Sequence, residues 1–311
     1  MAELDLLRSL PIPMPGPSDE ARARARARLS RHIDRAPSMH RRRLLVAAVA
    51  LAAAIALAAF ADIGGRGNSA SAAPLLQKMA SIARVQKAPQ PLTAGNFQYT
   101  RSIVGFLSGG KGWNALNPGI REIWLAPNGS GFLHERWDKP TFPTANDRRA
   151  WIAAGRPQVY PPEDSAKLPP APSPSLPSDP EALYATLHDR AVGHGNSTEA
   201  EMFTLVADAL RESDASPKLR ASLYEVAARI PGVELAGPAV DRLGRHGVAV
   251  AYVDGKIHER HELIFDRRTS ALLGEQYAEL DGNPYGYPVG TVTGYATYVV
   301  SAVVDRIGAR P

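Results

Sequence analysis

Between Leu44 and Ala61 the chain carries 18 consecutive residues without a charged or strongly polar side chain. Nothing else in the sequence restricts the fold as much. As a helix rising about 1.5 Å per residue, such a run just reaches across the hydrocarbon core of a bilayer. Arg41, Arg42 and Arg43 abut its N-terminal side, and Asp62 follows it. Arginines beside a span stay on the cytoplasmic side, so these three are topogenic. They predict a cytoplasmic N-terminus and place residues 62–311 outside the membrane. A cleaved secretion signal has a shorter apolar region within roughly the first 15–30 residues. Here 43 residues precede the run, although "SASAA" (69–73) supplies small residues that a signal peptidase accepts. The expectation is a retained single-pass signal-anchor, with cleavage near Ala72 or Ala73 as the competing reading.

The net charge of +5 divides at the same place. Residues 1–43 hold ten Arg against five Asp or Glu, which leaves 26 of the 36 Lys+Arg to face 26 of the 31 Asp+Glu downstream. The part after the span is therefore neutral. A nucleic-acid-binding fold needs a basic face in its folded part, so direct nucleic-acid binding is not expected. With no cysteine in the chain, disulfides, thiolate metal sites and a cysteine nucleophile are excluded together.

The basic arm reads as partly helical. Ser18 precedes "DEARARARARLSRHIDR" as an N-cap, with acidic residues in the first turn and basic ones later. Arg24, Arg28, Arg31 and Arg35 fall on one stripe. Such an arm suits either attraction to anionic lipid or docking to a cytoplasmic partner.

After a small, polar stalk (62–74), residues 75–311 read as an α+β domain built on a curved antiparallel sheet. "LLQKMASIARV" has helical spacing. "NFQYTRSIVGFL" alternates as a strand, and "REIWLAPNGSGFLHERW" reads as a hairpin turning at 127–131. "LSGGKGWNALNPG" (107–119) reads as a glycine-rich loop without phosphate-loop spacing. Nine prolines in 157–180 predict a semi-rigid linker. A helical insertion over 178–230 follows, with Ser178/Glu181 and Thr198/Glu201 as capping boxes and Ser216-Pro217 as cap and first helical position. Strands then run to the end, and "LIFDRRTSALLGEQ" forms a hairpin whose turn Asp266 opens.

Chemical motifs are scarce. In "HERHE" the two histidines lie three apart, not at the H-E-x-x-H spacing of a zinc helix. On a strand His258 and His261 point to opposite faces, which favours a solvated, charged strand over a metal site. No GxSxG is present, and no carboxylate pair stands out by spacing. No catalytic, cofactor-binding or metal residue is nominated, and no cofactor is expected. Tyr277, Tyr285, Tyr287 and Tyr295, around "DGNPYGYPVG", are candidate groove aromatics; a surface loop of turn formers is the competing reading.

Several stretches together carry a resemblance: "ELDLLRSL", "PSDEARARARARL", "REIWLAPNGSG", "SDPEALYATL", "LRASLYEVAARIPGVEL", "HELIFDRRTSALLGE" and "VVDRIGARP". Over nearly its full length the chain resembles uncharacterised single-pass membrane proteins of actinobacteria, often found beside genes for extracytoplasmic-function sigma factors. The resemblance implies a bacterial cell membrane and a sigma factor as a cytoplasmic partner, and transfers no activity. A zinc-type anti-sigma domain does not fit a chain without cysteine. "LIFDRRTSALLGE" is also similar to the D-P-x-T-G-x-x-L hairpin of periplasmic half-barrel proteins, such as lipoprotein carriers and sigma-factor regulatory sensors. Arg267 and Ser270 stand where that pattern has proline and glycine. The expected function is a membrane-anchored envelope sensor or binding protein. The alternatives are a lipid or lipoprotein carrier with a half-barrel, and an envelope enzyme.

Overall fold

The computed structural model describes residues 70–171, 175–211 and 215–311. The arm 1–43, the apolar run 44–61 with Arg41, Arg42 and Arg43, and the stalk up to residue 69 lie outside the described residues. Among the described residues no helix is long and apolar enough to cross a membrane.

The α+β class holds for the described residues. Nine strands form one antiparallel sheet in two meanders that meet in its middle. From the first, β1 (Phe97–Gly110), β2 (Trp113–Leu125), β3 (Gly131–Trp137) and β4 (Glu163–Leu168) step outward to one edge. The second starts at the other edge with β5 (Val233–Val240) and steps inward through β6 (His246–Asp254), β7 (Glu259–Phe265) and β8 (Leu272–Glu279). It ends with β9 (Val292–Val304), which pairs with β1. Bulges between β1 and β9, β7 and β8, and β8 and β9 bend the ladders, and such extra residues curve a sheet.

Four helices, α1 (Ala73–Arg84), α3 (Pro180–Ala191), α4 (Thr198–Arg211) and α5 (Pro217–Ala227), cover the β5–β8 half of one face. Their apolar stripes bury Leu76, Phe203, Val206 and Leu223 against Val248, Val250, Leu263 and Phe265. A fifth, α2 (Ala145–Ala153), lies against β2 in the other half. Its low hydrophobic periodicity hid it from the sequence reading.

The helix caps are legible to within a residue. Ser216 accepts from Leu219 N at 3.2 Å with Pro217 first in the helix, as expected. At α3 the cap is Asp179 rather than Ser178, because Pro180 sets the first helical position and the Asp179 carboxylate accepts from Ala182 N at 2.9 Å. At α4 Ser197 accepts from Ala200 N at 3.1 Å, one residue before Thr198.

Four other expectations change. The "glycine-rich loop" 107–119 is a β-hairpin: β1 runs to Gly110, Lys111 and Gly112 turn, and β2 starts at Trp113. Glycine is required at 109 because a Cβ there would meet Trp113 O at 2.3 Å. The proline-rich stretch contains the edge strand β4, paired with β3. The stalk ends in structure, since Ser71 bridges Glu234 on β5 and Ala72 is fully buried. "HERHE" is solvated only at its start, where His258 is exposed. His258 turns with φ 55° ahead of β7, while Arg260, His261 and Glu262 are buried, with Arg260 Nε 3.0 Å from Glu262 Oε1.

The β7–β8 turn follows the sequence reading. Asp266 Oδ1 accepts from Arg268 N at 2.7 Å and Thr269 N at 2.8 Å. Ser270, at the position where the resembling pattern has glycine, is held at φ 56° and is 1% exposed, with its hydroxyl unpaired among the described residues. A left-handed non-glycine residue costs about 1–2 kcal/mol, partly offset by the backbone entropy glycine would lose. Ser270→Gly should therefore stabilise the protein by about 1 kcal/mol. In a thermal melt that is a rise of about 2–4 °C for a domain of this size; an unchanged or lower midpoint would contradict the strain.

Candidate functional site

A cavity of about 320 Å³ opens on the helix-bearing face, at the end of the sheet where β2 and β3 meet α2 and the loop that follows it. That volume lies at the lower end of the ~300–1,000 Å³ typical of small-molecule sites. Its floor is Ala115 and Asn117 of β2, both buried. One wall is Trp137, the last residue of β3, and Tyr160 stacked on it at 4.1 Å with the rings 15° apart. Trp151 of α2, Val159 and Pro140, Pro157 and Pro162 complete the apolar lining, and Asp138, Lys139, Arg156 and Gln158 stand exposed at the rim.

The local sequence builds this shape. Asp147 fixes the start of α2: it accepts from Asn114 N at 2.8 Å and from Thr144 Oγ1 at 2.5 Å, while Thr144 caps the helix. After α2, Gly155 (φ 84°) and Arg156 (φ 57°) both turn left-handed and swing the chain back over β2. Trp151 Nε1 donates to Pro157 O at 3.0 Å, and Pro162 O accepts from Trp137 N at 2.9 Å. Tyr160 and Ser108 share a hydroxyl hydrogen bond of 2.9 Å, which holds the ring on Trp137. Rigid prolines and these bonds preform the cavity.

Three polar groups in the lining retain bonding capacity. The Trp137 indole N–H is buried and has no partner among the described residues. Asn117 donates both amide protons, to Phe106 O (3.1 Å) and Ala115 O (2.8 Å), and its side-chain carbonyl has no donor among the described residues. Gln158 likewise donates to Tyr160 O at 2.8 Å and keeps its carbonyl. Neither Lys139 nor Arg156 has a carboxylate within ion-pair distance among the described residues. Farther along β2 the fully buried Arg121 faces Glu135 across β3 at 3.8 Å.

The four tyrosines singled out by sequence do not converge. Tyr285 and Tyr287 stack on each other at 5.3 Å in the 281–290 loop, with Tyr285 exposed. Tyr287 reaches the cavity's support rather than its interior: its hydroxyl donates to Asp147 Oδ1 at 3.2 Å and accepts from Asn114 Nδ2 at 2.9 Å. Burial pushes its pKa up. Tyr277 is half-buried and stacks on His261 at 4.3 Å. Tyr295 lies beneath the Arg242 guanidinium at 4.1 Å.

Two further polar clusters lie on the sheet, one buried and one closed over by the exposed Arg310. On the helix-bearing face, Arg211 at the end of α4 meets Glu275 of β8 at 2.6 Å. Glu275 also accepts from Tyr298 OH at 2.7 Å and lies 3.3 Å from His261 Nε2. On the opposite face the C-terminal tail folds back over Tyr99 and Trp124. There Arg310 binds Glu122 through Nη2 at 2.6 Å, Tyr99 OH donates to Glu122 at 2.6 Å, and Trp124 Nε1 donates to Ala309 O at 2.8 Å. Both clusters tie distant chain segments to the sheet.

No family model matches the chain, and no curated protein matches it. Among solved structures it is similar to the MucA/MucB complex of Pseudomonas aeruginosa, at 14% identity over 78% of this chain and 59% of that one, with a TM-score of 0.27. MucB alone gives 14% identity, 78% and 61% coverage and a TM-score of 0.25. A DUF1329 family protein from Desulfovibrio piger gives 10% identity, 78% and 96% coverage and a TM-score of 0.21. The chain thus spans about six-tenths of the first two. At these TM-scores the likeness carries neither a fold assignment nor a function.

Proposed function

We propose that the protein is a membrane-anchored binding protein and sensor of the bacterial envelope. Its outer domain takes a ligand in the Trp137–Tyr160 cavity. Its arm, residues 1–43, contacts a cytoplasmic regulator, for which the family resemblance implies a sigma factor. The binding part rests on the cavity: a preformed aromatic wall, a buried indole N–H without a partner, and cations at the rim. The anchor is supported by Arg41, Arg42 and Arg43 before the apolar run.

Protease added outside intact cells should trim residues 62–311 and leave a membrane-bound stub. A free outer domain starting near Ala72 or Ala73 would replace the anchor with a cleaved signal. Detergent-solubilised full-length protein should pull down a sigma factor, and deletion of the arm should abolish its recovery; no recovery with the full chain would remove the regulatory part.

A lipid or lipoprotein carrier is the second reading. The curved sheet, with α1, α3, α4 and α5 grouped on its β5–β8 half, favours it. Native mass spectrometry of the full-length protein should then retain an envelope lipid.

A further inference from the structure

We propose that the cavity between Trp137, Tyr160 and α2 is a carbohydrate site that takes a pyranose ring, with a preference for sugars carrying a carboxylate. This rests on the binding reading above and names its ligand class. The choice follows from matching what each kind of ligand offers to what the walls leave unmatched. The walls present an aromatic surface (Trp137 stacked with Tyr160), one buried donor (Trp137 Nε1) and two carbonyl acceptors (Asn117 and Gln158).

A hydrocarbon chain would fill the aromatic part but leave the indole N–H buried and unbonded, which opposes binding. A proline-rich peptide would bring carbonyls for the indole, as in aromatic grooves that read extended proline segments. It brings few donors, so the Asn117 and Gln158 carbonyls would lose water without replacement. A pyranose supplies all three features. Its C–H face packs on aromatic rings, and each hydroxyl both donates and accepts. Lys139 and Arg156 at the rim, neither of them ion-paired among the described residues, outnumber the one carboxylate there, Asp138, and add the preference for an acidic sugar.

Isothermal titration of the detergent-solubilised full-length protein tests this. The probes are methyl glucoside, methyl galactoside, N-acetylglucosamine, glucuronate and cellotetraose, with decaproline and a short-chain phosphatidylglycerol alongside. Saturable binding of at least one sugar is expected, with glucuronate tighter than methyl glucoside. Trp137→Phe keeps the ring and loses the donor, and should weaken that binding by about tenfold. Trp113→Phe, outside the cavity, should leave it unchanged. Tighter binding of cellotetraose would identify a polymer as the source, and equal binding a free sugar. Binding of decaproline or the lipid without any sugar would overturn the carbohydrate class and leave the cavity as a binding site. No binding of any probe would overturn both. Unaltered sugar binding by Trp137→Phe, with its fold verified by circular dichroism, would also overturn the site.

Discussion

Replacing Arg211 by methionine is expected to cost about 3–5 kcal/mol of folding stability, the usual result of breaking a buried ion pair. Arg211 enters from the end of α4 and its guanidinium meets both Asp208 and Glu275. Burial by itself would push the Glu275 carboxyl up, yet the Arg211 charge, with His261 and the Tyr298 hydroxyl, holds it at about 2. A carboxylate depressed in the folded state stabilises it above the ordinary carboxylate range. That contribution is lost as pH falls from about 4.5 towards 2. Acid unfolding of the native protein should therefore sharpen in that window, and Arg211→Met should weaken the dependence. Chemical denaturation of Arg211→Met, Glu275→Gln and the double variant separates charge from packing. If charge dominates, the double variant recovers most of the loss. A single variant within about 1 kcal/mol of the native protein would mean the pair contributes little.

Glu259 gives the opposite sign. It opens β7 directly across from Glu279 of β8, and Thr293 Oγ1 lies 3.4 Å from its carboxyl. Burial first, then the neighbouring Glu279 and Asp254 charges, push its pKa up to about 7, and burial raises Glu279 as well. Both states hold the Glu259 proton below 4.5, so there is no effect there. Between 4.5 and 7 the unfolded chain releases it and the folded chain does not, so stability falls as pH rises. Above 7 the loss is constant and amounts to at most about 3 kcal/mol, because the group is only partly buried. Glu259→Gln should thus match the native protein at pH 4 and exceed it by up to about 3 kcal/mol at pH 8. Equal stability of the two proteins at pH 8 would refute the coupling.

The strands and helices after residue 70 were mostly readable because each depends on its own periodicity and punctuation. The Asp266 turn, the Ser216-Pro217 cap and the 127–131 hairpin turn are local chemistry, and they lie where their residues predict. The misreadings share one cause. Gly109 and Gly110 look like a loop until β2 crosses beside them and leaves no room for a side chain at Gly109. "HERHE" looks solvated until α4 covers one face and Gln276 meets Glu262 at 2.7 Å on the other. The proline-rich stretch looks like a spacer until β3 offers its edge to Glu163–Leu168.

The candidate site was less legible than the fold. Trp137 ends a hairpin strand and Tyr160 sits in "VYPPED", 23 positions apart, with no spacing that links them. The tyrosines near "DGNPYGYPVG" are close in sequence, and strand alternation and loop packing send Tyr277, Tyr295 and Tyr287 to three different surroundings. By itself the sequence determined the charge division around Leu44–Ala61, the chemistry that the absence of cysteine rules out, the α+β class and most element starts. These depend on composition or on contacts within a few residues. Only the tertiary structure decided the strand order, the joining of β9 to β1 and the stacking of Tyr160 on Trp137. Each brings together residues far apart in the chain, and their meeting is set by which apolar faces can be buried at once, a property of the whole chain.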